Sequence, residues 1–325
     1  MTYRPALGVF ASILIATFAA ALSAQAQGTY PSQAVKLMVP NPAGGLPDTV
    51  ARIVGRRLQE RLGQSVVIEN RPGANGRVAV AALMNAPADG YTLLVTDGAI
   101  LSINPALYAN LTYDPKDVLP IAMLARAPLF LAVHPKVQAT TLSEFIAHAK
   151  SSPGSLNYGS SGVGSTHHLS MEAMAVSLKL TLVHVPFKGT GESVPALLGG
   201  HIDVLFSAYP SLSGAAGTGQ IKLLASNGAQ RSPLAPDVPS LSEVIPGFDF
   251  APIIGIFARA GTSGAIAEKI AKEALDAAKE ADVAQRLAIV GVEAAGAGPE
   301  AFAAALRAEI KRVGDVVEAA GLKAK

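Results

Sequence analysis

Short apolar runs and helix-spaced apolar positions alternate along the chain, beginning with residues 35–39. That run predicts a buried strand, and apolar positions in residues 49–62 recur at the spacing of one helix face. Between them, residues 40–48 (Pro-Asn-Pro-Ala-Gly-Gly-Leu-Pro-Asp) form a loop. Adjacent glycines allow a ligand close to the main chain, while Pro47 and Asp48 mark a helix start. We therefore expect a helix N-terminus suited to an anion, although an ordinary capped loop explains the same pattern.

The same alternation continues through the chain and is typical of α/β folds. It predicts two mainly parallel sheets flanked by helices. Small polar residues follow three later strands, in residues 96–99, 159–168 and 186–193. Because ligands of such sheets bind outside the carboxyl ends of the strands, we expect these loops to surround one cleft.

Two apolar runs mark places where the chain could pass between two domains. Residues 129–133 could carry it into a second domain, and residues 253–258 could return it to the first. The predicted division is a discontinuous first lobe, residues 27–128 and 253–325, and a second lobe, residues 129–252. Two Ala-rich amphipathic helices with solvated charged faces close the chain.

The N-terminus has the pattern of a secretory signal. Arg4 precedes an apolar stretch over residues 5–22, and Ala-Gln-Ala at residues 24–26 resembles a cleavage site. We predict a signal peptide over residues 1–26 and a mature chain that begins near Gln27; a retained membrane anchor is the alternative. No later apolar run approaches the about 20 residues that span a bilayer. The expected product is a soluble periplasmic protein.

Composition narrows the possible functions. The sequence has no cysteine, which excludes disulfides, thiolate metal sites and a lipid anchor on an N-terminal cysteine. An exported chain without disulfides is typical of the bacterial periplasm. The net charge is +2, with 15% charged residues, and this balance does not indicate a nucleic-acid surface. We expect a monomer that uses no cofactor or metal.

The glycine-rich loops match none of three common catalytic or nucleotide motifs. A Walker loop needs a lysine after its glycines, which residues 162–166 lack. A dinucleotide fingerprint needs a third glycine, which neither later Gly-x-Gly pair supplies. A hydrolase elbow, Gly-x-Ser-x-Gly, would require glycine where the chain has Val163.

Two arrangements of histidines leave alternatives open. Ser160 or Ser161 could form a hydrolytic pair with His167. His168 and Glu172 lie four residues apart on one helix face, a spacing that can hold a metal, but no third ligand is evident nearby. A capped or surface histidine pair explains the same residues.

Neutral hydrogen-bond donors remain as the candidate binding groups. Hydroxyls and main-chain N–H groups at helix starts can hold a carboxylate without a formal counter-ion. Lys188 could contact a ligand or remain a solvated loop residue. The hydroxyl donors are those of Thr96, Ser160, Ser161, Ser165, Thr166 and Thr190.

Ten short motifs occur in order across nearly the whole mature chain. They are Tyr30-Pro31-Ser32, Pro42-Ala43-Gly44-Gly45 with Asp48, Glu69-Asn70-Arg71-Pro72-Gly73-Ala74, Asp89-Gly90-Tyr91-Thr92-Leu93-Leu94, Asn104-Pro105-Ala106-Leu107-Tyr108, Leu156-Asn157-Tyr158, Thr166-His167-His168-Leu169, His184-Val185-Pro186-Phe187-Lys188-Gly189, Arg231-Ser232-Pro233 and Asp237-Val238-Pro239-Ser240. With these motifs the chain resembles the periplasmic receptors of tripartite tricarboxylate transporters, the Bug family.

This resemblance implies a two-lobed periplasmic-binding-protein fold that closes over a small carboxylate. In the family, the Pro-x-Gly-Gly loop holds one carboxylate largely through main chain and water, and the other lobe holds the far end. The implied ligand-binding residues are Pro42, Ala43, Gly44, Gly45, Asp48, Thr96, Gly98 and Ala99 from the first lobe, and Ser160, Ser161, Thr166, His167, Lys188 and Ser207 from the second.

Two departures from the family pattern fall near this site. Members usually have Phe where this chain has Asn41, and many have Asp where it has Ser207. Losing an acid weakly favours a ligand without an amine.

The predicted function is capture of a di- or tricarboxylate, or a related organic acid, and its delivery to the permease subunits of the transporter. The rivals are a receptor that reports to a sensor, a receptor for an uncharged aromatic or cyclic solute, and a periplasmic hydrolase.

Overall fold

Two β-sheets covered by helices form the part of the chain described by this computed structural model, residues 30–322. The strands are β1 (Val35–Val39), β2 (Val66–Asn70), β3 (Thr92–Asp97), β4 (Val118–Arg126), β5 (Leu129–Val133), β6 (Asn157–Ser160), β7 (Val183–Pro186), β8 (Val204–Ala208), β9 (Lys222–Ser226), β10 (Ile253–Arg259) and β11 (Glu293–Ala297). The α-helices are α1 (Leu46–Leu62), α2 (Arg77–Asn85), α3 (Ala99–Leu107), α4 (Leu142–Ser151), α5 (Thr166–Leu178), α6 (Thr190–Leu198), α7 (Tyr209–Gly217), α8 (Gly264–Lys279), α9 (Ala281–Ile289) and α10 (Pro299–Ala319). The predicted signal, residues 1–26, lies outside the described residues.

Strand order confirms the α/β two-sheet fold and refines its predicted orientation. The first sheet has the order β11-β4-β10-β3-β1-β2, and the second β7-β6-β8-β5-β9. Most strands in each sheet share one direction, as predicted, but the pairing is mixed. β10 is antiparallel to β3 and β4, β11 is antiparallel to β4, and β5 is antiparallel to β8 and β9. β5 and β10 directly follow the two passages of the chain from one sheet to the other. Each of these two strands runs against the prevailing direction of its sheet.

The two passages between the sheets lie side by side. β4 ends at Arg126 in the first sheet, and β5 begins at Leu129 in the second. The Ala127 N–H donates a hydrogen bond of 2.9 Å to the Pro252 carbonyl, on the segment that returns to β10. Adjacent extended segments of this kind give the fold a narrow connection between its two halves.

Helix α10 forms a third connection and packs against both halves. Near its start, Phe302 is fully buried against Phe257 of the first sheet, with ring centroids 5.0 Å apart. Near its end, Val313 and Val317 belong to the hydrophobic core around the second sheet. Burying one such side chain contributes about 1.5–3 kcal/mol. The predicted first lobe, which included all of residues 253–325, therefore shares its last helix with the second sheet.

Small residues bring elements of this fold into close contact. Gly255 of β10 faces Phe302 so closely that a Cβ atom would lie 2.4 Å from its ring. Such a position accepts only glycine, because neither a strand interior nor a buried ring can move far.

None of the helices within residues 30–322 combines the length and hydropathy needed to cross a bilayer.

Candidate ligand-binding cleft

A cleft of about 570 Å³ opens between the two sheets, where β1, β2, β3 and β6 end. Its size falls within the range of about 300–1,000 Å³ that is common for small-molecule sites. We call residues 40–42, 72–76 and 96–104 the first wall, and residues 161–167 the second wall. The lining residues are Pro40, Asn41, Pro42, Pro72, Gly73, Ala74, Asn75, Gly76, Thr96, Asp97, Ala99, Ile100, Ile103 and Asn104 on the first wall, and Ser161, Val163, Gly164, Ser165, Thr166 and His167 on the second.

Asp48 holds the loop of residues 40–48 in shape from inside the protein. Its carboxylate accepts hydrogen bonds from the Gly44 N–H at 2.9 Å, Arg52 Nε at 2.9 Å and Asn70 Nδ2 at 2.8 Å. Burial would raise the pKa of Asp48, but these hydrogen bonds outweigh it and lower the pKa to about 2. Asp48 is 1% exposed and does not line the cleft. In this structure Asp48 shapes the loop, and its predicted contact with the ligand stays a prediction.

The glycines of this loop are not among the residues that line the cleft. The Gly44 N–H is bonded to that buried carboxylate, and the Gly45 N–H donates to the Pro42 carbonyl at 3.0 Å. Ala43, Gly44 and Gly45 are not among the lining residues, whereas Asn41 and Pro42 are. In this structure the loop therefore faces the cleft with residues 40–42, not with the main-chain N–H groups that the resemblance implied.

The end of β3 forms the floor of the cleft. Thr96 is 1% exposed, and its hydroxyl has no hydrogen-bond partner within the described protein. An unpaired buried hydroxyl is costly, so its position on the cleft floor points to a partner supplied from the cleft. Ala99 lines the cleft at the start of α3. Gly98 lines a smaller adjoining cavity instead, and its N–H donates to the Ile253 carbonyl at 2.9 Å.

Ser161, Thr166 and His167 come together on the second wall, at the N-terminus of α5. Ser161 Oγ lies 2.6 Å from His167 Nδ1, and Thr166 lines both the cleft and the adjoining cavity. The geometry brings a serine and a histidine within reach, as a hydrolytic pair would need. However, burial lowers the pKa of His167 to about 4, which makes it a poor general base near neutral pH. The pair is better suited to neutral hydrogen bonding.

Ser160 supports the second wall from below and does not line it. Its hydroxyl lies 2.7 Å from His184 Nε2 and also bonds to the main chain of Gly162. The His184 ring stacks on His168 and on Tyr158, with centroids 4.0 Å and 4.7 Å apart. Burial is the main cause that lowers the pKa of His184, to about 4. This neutral stack fixes the glycine loop above it.

The spacing of His168 and Glu172 does not produce a metal site. His168 Nδ1 accepts the Gly164 N–H at 3.0 Å, and Glu172 accepts the hydroxyl of Tyr158. His168 Nε2 is 3.9 Å from Glu172. No group of three or more metal-ligating side chains occurs in the chain from residue 30 to residue 322.

Lys188 and Ser207 lie away from the cleft. Lys188 is exposed in the loop before α6, where its N–H donates to Glu192. Ser207 is fully buried inside β8, opposite Phe130 of β5, and its hydroxyl has no partner within the described protein. Both were predicted to bind the ligand, and neither is among the lining residues. The substitution at Ser207 therefore alters the sheet interior, whereas Asn41 does face the cleft.

The predicted ligand-binding residues omit several that line the cleft, above all Asp97, although it lies within the predicted strand exit of residues 96–99. Its carboxyl ends β3, and burial raises its pKa. Asn104 donates its side-chain N–H to the Asn75 carbonyl at 2.8 Å, which joins α3 to the loop after β2. The sequence does contain a signal for Asn75, because residues 72–76 follow a strand of the first sheet, as the predicted binding loop of residues 40–48 does. Charge is also informative: among the lining residues that the structure describes, none is lysine or arginine.

The chain matches the family described as "Tripartite tricarboxylate transporter family receptor" over residues 50–322. Among curated relatives, the protein BugT of Bordetella pertussis is 32% identical over 322 residues, which cover 98% of this chain and 97% of that protein.

Solved structures give the same result. A protein from R. palustris, solved with adipate, is 31% identical with a TM-score of 0.76, over 90% of this chain and 98% of the other. MatC from Rhodopseudomonas palustris, solved with bound malate, is 32% identical with a TM-score of 0.71, and the match covers 89% of this chain and 100% of MatC. The fold, the cleft between its sheets and these matches lead to one conclusion: the chain belongs to the tripartite tricarboxylate transporter receptor family, also called TctC or Bug, of periplasmic solute-binding proteins.

Proposed function

We propose that this protein captures a small organic carboxylate, of the di- or tricarboxylate class, in the cleft between its sheets. The observation that carries this proposal is the buried hydroxyl of Thr96, which lacks a partner in the described protein and belongs to a residue that lines the cleft together with Ser161 and Thr166 of the other wall. Hydroxyls and helix N-termini from both walls can bind carboxylate oxygens without a lysine or arginine. Adipate and malate are the ligands of two similar proteins, and both are dicarboxylates.

We further propose that the chain acts in the periplasm, after removal of residues 1–26, as a two-lobed monomer. The lobes are built around the two sheets, and the two side-by-side passages at Arg126 to Leu129 and before β10 form the hinge. The ligand favours the closed arrangement by the difference in its affinity for the two states. The receptor then delivers the carboxylate to permease subunits of a tripartite tricarboxylate transporter; reporting to a sensor is the alternative use of the same event.

Mass spectrometry of ligand released from the purified, denatured protein tests the carboxylate class. A thermal-shift screen of mono-, di- and tricarboxylates, each beside its amide, then ranks the candidates. A bound carboxylate should stabilise the fold by about 2.7 kcal/mol at a hundredfold excess over Kd, and the amide should stabilise it much less. Equal stabilisation by acid and amide would exclude an anion site. Sustained ester turnover that is lost in Ser161→Ala would favour a hydrolase instead.

Delivery and sensing are separated by a transport assay. The purified receptor is added to vesicles that carry the transporter's permease subunits, with the radiolabelled carboxylate identified above. Uptake that depends on the receptor supports delivery. Receptor-independent uptake, together with retention of the receptor by a sensor ectodomain, would favour sensing.

A further inference from the structure

Two carboxyl groups line a small cavity that adjoins the floor of the cleft, those of Asp97 and Glu309. Asp97 also lines the cleft, and Glu309 of α10 packs on Gly98, where a Cβ atom would lie 2.7 Å from Glu309 Oε1. Glu309 Oε1 accepts a hydrogen bond of 2.6 Å from Ser102, but Oε2 is buried without a partner in the described protein. Asp97 Oδ1 accepts a long hydrogen bond, 3.3 Å, from the Ala99 N–H. Neither acid forms an ion pair within the described residues.

The charged groups that face this pair leave it without a full counter-charge. Arg126 is paired with Asp249, and Arg312 Nη2 lies 3.8 Å from the same Asp249 carboxylate. On the second wall, His167 is neutral near pH 7, because burial lowers its pKa. Arg312 Nε is buried without a partner in the described protein, and neither arginine forms an ion pair with Asp97 or Glu309.

The balance of these effects disfavours two ionised carboxyl groups side by side. Burial outweighs the hydrogen bond from Ser102 and, together with the charge of Asp97, raises the pKa of Glu309 to about 7. The charges of Arg312 and Arg126 oppose this rise only in part. Burial also raises the pKa of Asp97, despite the N–H from Ala99.

We propose that Asp97 is protonated in the complex and donates a hydrogen bond to a carboxylate oxygen of the ligand, so that binding takes up a proton from solvent wherever Asp97 of the free protein is ionised. This inference rests on the proposed function, because it requires an anionic ligand. An ionised Asp97 would repel such a ligand, whereas an O–H···O⁻ hydrogen bond is short and strong. Thr96, beside Asp97 on the floor, also lines the cleft, and its buried hydroxyl lacks a partner in the described protein.

A ligand with an ammonium group would use Asp97 in the opposite way, as an ionised acceptor. The dicarboxylates bound by the two similar proteins have no such group, and the protonated form needs no additional cation. The two alternatives predict opposite effects of Asp97→Asn. Asparagine keeps an N–H donor but cannot carry the charge.

Isothermal titration with adipate and malate, over the pH range in which the protein stays folded, tests the inference. Above the pKa of Asp97, the Kd should weaken by about tenfold per pH unit, with about one proton taken up, measured in buffers of different ionisation enthalpy. Asp97→Asn should remove this pH dependence and bind more tightly than wild type at the alkaline end. Glu309→Gln should move the midpoint to lower pH, and Glu318→Gln, on the exposed face of α10, should leave it unchanged.

Two results would overturn the inference. One is loss of affinity in Asp97→Asn at every pH, especially if aspartate binds more tightly than malate. The other needs no ligand: a ¹³C titration in which the Asp97 carboxyl carbon, assigned by comparison with Asp97→Asn, titrates near the usual value of about 3.9. If that titration lies well above this value but no carboxylate binds at any pH, the proposed function fails and the ligand half of the inference fails with it.

Discussion

Thr96→Val tests the cleft most directly, because it separates ligand binding from folding. Valine keeps the β-branch and nearly the volume of threonine, so it suits the end of β3. It removes only a hydroxyl that is 1% exposed and has no partner within the described protein. A residue that serves the fold alone should lose stability on such a change. A residue kept for the ligand should gain stability and lose affinity.

The expected magnitudes follow from the hydrogen bonds that the Thr96 hydroxyl makes in the ligand-free protein and in the complex. Leaving a buried hydroxyl unpaired costs about 1–3 kcal/mol, so Thr96→Val should stabilise the ligand-free protein by up to that amount. A hydrogen bond to a charged group contributes about 1.5–3 kcal/mol. The Kd for a carboxylate should therefore rise by roughly 10- to 150-fold.

Urea unfolding of the ligand-free variant and isothermal titration with adipate or malate give the two numbers. Ser226→Ala is the matched control, since Ser226 of β9 is also a fully buried hydroxyl without a partner in the described chain, but it does not line the cleft. The control should change stability in the same direction and leave the Kd as it was. A destabilised Thr96→Val with wild-type affinity would refute the argument, because the hydroxyl would then serve the fold.

Three further variants test the loop, the second wall and the histidine stack. In urea unfolding at pH 7, Asp48→Asn should lower the free energy of unfolding by about 2 kcal/mol, and this loss should shrink as the pH falls from about 4 toward 2. The control is Asp315→Asn, which removes an exposed ion pair with Lys311 and should change the free energy of unfolding by less than about 1 kcal/mol. Thr166→Ala should raise the Kd of a carboxylate by roughly 10- to 150-fold without loss of stability, measured by titration and thermal shift. Wild type should lose stability as the pH falls from about 6.5 to about 4, because the histidine stack must take up protons on unfolding, and His184→Gln should reduce this loss by up to roughly 3 kcal/mol.

Each of these expectations has a contrary result. If Asp48→Asn unfolds at the wild-type urea concentration, the buried carboxylate does not hold the loop. Unchanged affinity in Thr166→Ala would leave the second wall without its hydroxyl contact. An acid profile of His184→Gln that parallels wild type would assign the acid sensitivity to other groups; Glu309, whose pKa is raised, contributes with the opposite sign and gains stability as the pH falls below about 7.

Periodicity was enough to predict the two-sheet fold, because strands buried on both sides are apolar throughout and their helices are amphipathic. It also located the strand ends at Thr96 and Ser161 that line the cleft. The rest depended on side-chain direction, which spacing does not determine. Ser160 and Ser161 are adjacent in β6 and the following loop, yet one bonds inward to His184 and the other faces the cleft.

Asp48 and Asp97 show why chemistry alone ranks such residues wrongly. Both are acids near a helix start, Asp48 after β1 and Asp97 at the last position of β3. Asp48 accepts three hydrogen bonds that close a loop behind the wall, which lowers its pKa. Asp97 has a single long hydrogen bond and lines the cleft. Only the three-dimensional partners distinguish a structural acid from one available to a ligand.

The floor of the cleft lies next to the connections between the sheets. Thr166 and Asp97 line the cleft, and they also line the adjoining cavity with Asp249, which is paired to Arg126 at the end of β4. Glu309 closes this cavity from α10, the helix that packs on both sheets. A ligand on the floor would therefore contact side chains that adjoin the two passages between the sheets and helix α10. Because a ligand shifts a conformational equilibrium only by its differential affinity, contacts placed here can couple binding to closure more directly than contacts at the rim.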